Sequence, residues 1–365
     1  MRAPRVLVSG VLLGQPMGGV RRHNQELLPR AARLLAEGGG ALAVLRGSEP
    51  PAFELPPPVR ELASRVPAHP VALRALAEGR ALRSALREAA RRGRPFDLVH
   101  TAHLPAPRRL GMPLAFTLHD PRRVDLAPSA WRRRTAALAI ERAFARSACV
   151  IAVSETMARR YRADFGASRV FVVPNAADHL PLLPRAPARA PFLLYVGHLE
   201  PRKNLGLLLE ALATDRALPR LVLAGAAKDA MDERLRTRAA ELGVAPRLEL
   251  RGPVSDGELA RLYAATACVV LPSRLEGFGI PALEARRAGA PLAVAAAGAL
   301  PEVAGPGAAS FPPDDASACA RAIRAALATP EERLGESSRA AREASWDRSA
   351  SRLVEAWRQA TALTG

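Results

Sequence analysis

Two doubly wound, Rossmann-like α/β domains facing a central cleft are the architecture this sequence predicts, on three observations. Short apolar runs alternate with longer amphipathic stretches along the 365 residues, the pattern of βαβ units and parallel sheets. The alternation stops at a proline-rich break over residues 174–191 and then restarts. The length exceeds what one ordinary core supports and suits two.

In the first half, strands are expected at residues 5–9, 41–45, 97–100, 114–118, 149–153 and 170–173. Helices are expected between them at 21–37, 71–92, 130–146 and 155–165, with a proline-rich loop at 49–58. The break holds Pro174, Pro181, Pro184, Pro187 and Pro191 with almost no periodicity, and reads as a stiffened linker. Strands resume at 192–196, 220–224, 247–250, 267–271 and 291–295. Ser154-Glu155 reads as a helix cap, and Ser255 with Glu258 and Thr329-Pro330 with Glu332 have capping-box spacing. Asp314-Asp315 reads as a late helix start, and a last helix from 348 carries Leu353, Trp357 and Leu363 on one side. Doubly wound sheets bind ligands beyond the carboxyl ends of their strands, so segments just after strands are the candidate site.

Composition narrows the function. The net charge is +18 and the isoelectric point about 11.3, which raises nucleic acid as a partner. Only Lys203 and Lys228 are lysines; every other basic side chain is arginine, and alanine and proline abound. The basicity therefore reads as a chain-wide bias, and sparse aromatics argue against base-stacking platforms, so no nucleic acid is expected. Arginine clusters at Arg91-Arg92 and Arg132-Arg133-Arg134 suit an anionic membrane surface better. Cys149 and Cys268 sit in apolar runs as buried thiols, and no Cys/His spacing suggests a metal. The apolar start of the chain runs into a glycine loop and reads as a first buried strand; no apolar run is long enough to span a bilayer.

The segment PSRLEGFGIPALE, residues 272–284, is the most informative. It places Glu276 and Glu284 seven residues apart, around a Gly277-Phe278-Gly279 turn and an Ile-Pro helix start. Strand, glycine turn and helix N-terminus together suit an anion, with Pro281 in the first helical turn. Carboxylates beside such a site make sense as acceptors for sugar hydroxyls, facing one region. Arg202 and Lys203 follow the strand at 192–196 and precede a helix expected at Asn204, matching a diphosphate. Gly18 and Gly19 follow the first strand, where glycine lets backbone approach a ligand. His119 ends the strand 114–118, with Asp120 placed to orient its ring.

The 272–284 segment resembles the Glu-x7-Glu motif of retaining GT-B glycosyltransferases, in the family 4 or group 1 type that includes bacterial mannosyl- and glucosyltransferases. YVGHLEPRKNLGLLLEAL (195–212), VVPNAAD (172–178), Gly18-Gly19-Val20 and TLHD (117–120) resemble its other motifs, in its order. The resemblance implies catalytic roles for His119, Arg202, Lys203 and Glu276. Arg202 and Lys203 would stabilise the β-phosphate of the leaving group, and Glu276 would lie near the donor sugar. It implies donor binding by Gly18, Gly19, Gly277, Phe278, Gly279 and the ribose carboxylate Glu284, with the base near Gly252 to Val254. It also implies an acceptor-binding domain over 1–180, a nucleotide-sugar domain over 190–345, and a tail helix, 346–365, packed back on the first. Each half would hold part of the site, so closure on donor binding is expected.

The resemblance further implies transfer of a hexose from a UDP- or GDP-sugar to a glycan or lipid-linked acceptor hydroxyl, without metal or other cofactor. Such an enzyme is expected in the cytoplasm, peripheral at the inner face of the plasma membrane. Two departures from the family pattern are Ala176, where glycine usually follows Pro174-Asn175, and the Gly298-Ala299-Leu300 loop before Pro301. The rivals are a GT-B sugar-nucleotide epimerase, whose extra first-domain acid/base carboxylates are not found in the sequence, and a non-catalytic basic adaptor, against which Lys203, Glu276 and Glu284 argue.

Overall fold

Strands buried on both faces favour continuous aliphatic runs, and that is how these runs are used. The computed structural model describes residues 3–15 and 18–362. Its first sheet contains β1 (Arg5–Gly10), β2 (Ala41–Arg46), β3 (Arg60–Leu62), β4 (Leu98–Thr101), β5 (Leu114–Leu118), β6 (Cys149–Ala152) and β7 (Val170–Val172). Their order is β3-β2-β1-β4-β5-β6-β7. The second contains β8 (Phe192–Val196), β9 (Arg220–Ala224), β10 (Leu248–Gly252), β11 (Cys268–Leu271), β12 (Leu292–Ala295) and β13 (Ala309–Phe311), ordered β10-β9-β8-β11-β12-β13. The described pairings are parallel, in register from Arg5 opposite Ala41 and from Phe192 opposite Arg220. In each sheet the winding reverses beside the first strand, between β1 and β4 and between β8 and β11. Ligand crevices open at such reversals.

The chain up to Asn175, together with the terminal helix Trp346–Ala362, forms one compact unit; Ala176–Ser345 forms the other. The terminal helix lies on the helix Gly19–Glu37, where Arg30 bonds Asp347 at 3.1 Å, and buries Trp346, Leu353 and Trp357. Leu363, expected on the same face, lies outside the described residues.

The proline-rich segment lacks regular structure, yet it is no free linker. Arg185 donates to the carbonyls of Tyr263, Ala264 and Thr266 at 2.6, 3.0 and 2.7 Å, and the amides of Ala186 and Ala188 bond Ala264 and Ala265. Residues 176–189 therefore belong to the second unit, and the division falls at Asn175, ahead of the expected 180. Periodicity misses β3 and β13, each three residues long and at a sheet edge.

Helix starts follow local chemistry where a side chain can reach back. Ser154 and Ser255 accept bonds from the amides of Met157 and Glu258, and Asp315 caps Ala316–Leu327. Thr329 does not cap the next helix: Pro330 takes the cap position, and the Thr329 hydroxyl turns back to the Ala325 carbonyl. All three cysteines are free and buried, and burial pushes the Cys149 and Cys319 thiols up to about 12.

Candidate active site

The reversal between β8 and β11 is where the chemistry collects. After β8 the chain makes a single 3₁₀ turn, Pro201–Lys203, and Asn204 takes a left-handed conformation at φ 56° before the helix Gly206–Thr214 begins. The sequence places the helix at Asn204 directly; the cations ride on a separate turn instead. Asn204 tolerates this geometry and its side-chain Nδ2 donates to the carbonyls of Pro272 and Pro313 at 3.3 and 2.6 Å. The Arg274 amide donates to the Arg202 carbonyl at 3.1 Å, so the loops after β8 and β11 are joined through backbone.

Glu276 completes the join. One carboxylate oxygen accepts bonds from Lys203 Nζ and from Ser273 Oγ at 2.9 Å; the other faces Arg202 at 3.4 Å. The structure holds Glu276 against the two cations assigned to the diphosphate, where a largely buried carboxylate finds charged partners. Burial opposes its ionisation, but Lys203 and Arg202, with bonds from Lys203 and Ser273, outweigh burial and hold it below the usual carboxylate range. Arg202 also reaches Glu200 at 2.7 Å and the Leu275 carbonyl at 3.1 Å, while its Nε is buried without a hydrogen-bond partner.

Glu284 occupies a different pocket. Gly279, left-handed at φ 92°, leads into the helix Ile280–Arg287 with Pro281 in its first turn, as the sequence implies. Glu284, 6% exposed, accepts a bond from Tyr263 Oη at 2.7 Å and lies 3.0 Å from His179 Nε2. Burial and the Glu284 charge raise the Tyr263 phenol well above its ordinary value, so it remains a donor. Glu276 and Glu284 thus have separate side-chain partners. The Phe278 side chain is buried, which leaves its backbone for a ligand.

Gly298 explains the short loop before Pro301. It adopts φ 56°, a Cβ there would collide with the Glu276 carbonyl, and the Ala299 amide donates to that carbonyl at 2.9 Å. On the other side of β8, Gly252 ends β10 at φ 72° and accepts a bond from the Gly225 amide at 2.8 Å; Val254 is half-buried in the loop that follows.

In the first unit, Gly18 caps a helix whose first residue is Gly19, so only Gly18 belongs to the loop. That helix carries His23 onto His119, edge to face with ring centroids 4.7 Å apart, and His23 Nδ1 meets Asn175 Oδ1 at 2.7 Å. The glycine turn, the TLHD histidine and the Pro-Asn motif therefore converge. Asp120 accepts bonds from the Arg122 guanidinium at 2.6 and 2.7 Å and from the Arg122 amide at 3.1 Å, rather than orienting His119. Burial depresses His23 to about 4 and His119 well below its ordinary value, so both imidazoles are neutral at pH 7. His119 Nε2 is buried without a hydrogen-bond partner.

Sequence reasoning missed Glu200 and Ser273, and also Tyr263, His179 and His23, whose partners Glu284 and Asn175 lie far away in the chain. It also missed a buried network in the first unit, where Glu78 accepts bonds from Ser9 at 2.6 Å and His103 at 3.0 Å.

Two Rossmann-like units with cations and carboxylates at the second unit's strand reversal define the GT-B class of glycosyltransferase. The chain belongs to the group 1 glycosyltransferases: residues 184–343 match the family described as "Glycosyl transferases group 1" and residues 17–179 match "Glycosyltransferase Family 4". An MMP alpha-(1->4)-mannosyltransferase of Mycolicibacterium hassiacum is 31% identical across 77% of this chain and 74% of its own. The fold is similar to sucrose-phosphate synthase of Thermosynechococcus elongatus, with TM-score 0.81, 22% identity, and coverage of 99% and 100% of the two chains. It is also similar to HepE of Anabaena solved with UDP-glucose, with TM-score 0.64, 18% identity, and coverage of 94% and 99%. The protein is a glycosyltransferase, and the epimerase and adaptor readings are not favoured.

Proposed function

We propose that this glycosyltransferase transfers a hexose, with retention of configuration, from a UDP- or GDP-sugar to a hydroxyl of a glycan or lipid-linked acceptor. One observation carries the reading: Arg202 and Lys203 are fixed at the β8/β11 reversal, poised to exchange carboxylate partners for a diphosphate. As the glycosidic bond breaks, negative charge grows on the β-phosphate, and preorganised cations there lower the barrier most. The leaving phosphate oxygen takes the acceptor proton on the same face, so the reaction needs no protein nucleophile. Arg202 and Lys203 supply the positive charge that a metal would otherwise bring. Glu284 accepts ribose hydroxyls, Gly252 to Val254 border the base, and the backbone of Gly277 to Gly279 and of Gly18 approaches sugar and phosphate. Neutral His119 holds a sugar hydroxyl through its unpartnered Nε2. The mannosyltransferase relative and the UDP-glucose complex of HepE support a nucleoside diphosphate hexose donor.

The acceptor is met at the inner face of the plasma membrane, where arginines near Arg91 and Arg132 face anionic lipid. A thermal-shift panel of UDP-, GDP- and ADP-hexoses tests the donor reading, because a ligand of the folded state raises the melting temperature. One nucleotide family should stabilise the protein, and turnover with it should survive excess chelator. No shift with any of them rejects the donor. Activity lost to chelator and restored by magnesium or manganese rejects metal independence.

A further inference from the structure

The chain holds two lysines among 53 basic residues, and each pairs with one of the two carboxylates that Arg202 bridges. Lys203 bonds Glu276; Lys228 lies 3.6 Å from Glu200. The charges form a line, Lys228, Glu200, Arg202, Glu276, Lys203, in which cation and carboxylate alternate and both ends are cations. Three positive charges face two negative ones, so the line lacks an anion.

The position of Lys228 is built by the backbone. The loops after β8 and β9 are laced together: the amides of Gly197, Leu199 and Lys228 donate to Ala224, Ala226 and Leu199 at 3.0, 2.9 and 3.0 Å. Gly225, at φ 150°, packs so closely on Gly197 that a Cβ would collide with the Gly197 carbonyl. Asp229 and Ala230 then adopt positive φ, which turns the chain into the helix Met231–Glu241. This lacing fixes the Lys228 backbone beside Glu200. The side chain is less committed. At 3.6 Å its ammonium makes an ion pair but no hydrogen bond, and it is 36% exposed on a flexible stem. Arg202 and Lys203, at 15% and 12%, are far more enclosed. A compact cation with three unused donors, beside an arginine whose buried Nε lacks a partner, suits a phosphate oxygen.

We propose that Lys228 is a third cationic ligand of the donor's diphosphate, leaving Glu200 to bond the terminal phosphate when nucleotide binds. This rests on the nucleoside diphosphate reading above and adds a residue to that site. The half-buried His198 is pushed below its ordinary value by burial and by Lys228, with Lys203 and Arg202 adding to the effect and Glu200 opposing it.

Calorimetric titration of the full chain with UDP, UMP, GDP and GMP tests the proposal. Wild type should bind one diphosphate more tightly than the matching monophosphate. Lys228→Ala should weaken that diphosphate about tenfold or more and leave the monophosphate within about twofold; Lys228→Arg should recover most of the loss. The same loss should persist in a Glu200→Gln background. An unchanged ratio of diphosphate to monophosphate affinity in Lys228→Ala overturns the proposal while leaving the donor reading intact. A loss that disappears in the Glu200→Gln background overturns direct contact and makes Lys228 a positioning residue acting through Glu200. If wild type binds none of the four nucleotides, both readings fail together.

Discussion

Lys203 and Glu276 are ion-paired, and the proposed function has Lys203 turn to the diphosphate when donor binds. Removing the lysine would then strip a preorganised donor from the leaving phosphate. Lys203→Ala should lower turnover about 100-fold or more, while Arg202 and Ser273 still bond Glu276 and the protein folds. Steady-state rates with circular dichroism check this, and near-normal turnover in a folded variant refutes the assignment. On the proposed function Glu284 accepts from Tyr263 and, with His179 3.0 Å away on its other oxygen, keeps lone pairs for ribose hydroxyls. Glu284→Ala should weaken donor binding by about 1.5–3 kcal/mol, and Glu284→Gln should keep a Tyr263 acceptor and lose less. Equal donor affinity in all three proteins by calorimetry would exclude a ribose contact.

Between elements, two couplings matter. Gly298 lets the loop after β12 press on the backbone of Glu276. Gly298→Ala combines strain at positive φ with a backbone collision, so it should displace Glu276 and abolish donor-induced stabilisation. A melting-temperature rise equal to wild type on adding donor would contradict this. The second coupling is acid-sensitive. His100 joins β4 to β5 through Thr117 Oγ1 at 2.8 Å and meets the terminal helix edge-on at Trp357. Burial depresses His100 to about 3 and His23 to about 4. Both folded values lie below the unfolded value near 6.5, so the unfolded chain binds protons first as pH falls. Stability is complete above about pH 6.5 and declines below it by up to about 1.4 kcal/mol per pH unit for each such histidine, down to its folded value. Urea midpoints between pH 7.5 and 5 should fall, and His100→Gln should flatten the fall. A midpoint independent of pH in this window would show that these imidazoles bind protons alike in the folded and unfolded chain.

For the whole molecule, the proposed membrane contact rests on the +18 charge and on exposed large apolar side chains that include Trp131, Leu73, Leu76 and Leu126 in the first unit. Trp131 is 72% exposed and adjoins Arg132, whereas Trp346 and Trp357 are fully buried. Among the described residues no helix is long and apolar enough to cross a membrane. Vesicles with anionic lipid should carry the protein upward in flotation and shift Trp131 emission to the blue, while neutral vesicles should do neither. Equal recovery from both vesicle types would remove the membrane from the proposed function.

The sequence by itself determined the order of elements. Leu114–Leu118, Phe192–Val196 and Arg220–Ala224 stand where their apolar runs place them, because burial on both faces leaves a local signature. It also marked the segments after β8 and β11 as the candidate site, since glycine turns and paired cations are local chemistry. What touches what was decided by the tertiary structure. That Glu276 closes on Lys203, that Asp120 binds Arg122 and not His119, and that residues 176–189 join the second unit depend on partners distant in sequence. The pairing of each buried charge is set by what the fold brings beside it. No periodicity encodes it, because an ion pair needs only proximity and desolvation. Lys228 shows the same division: composition made it conspicuous as one of two lysines, and only the lacing of two loops placed it beside Glu200.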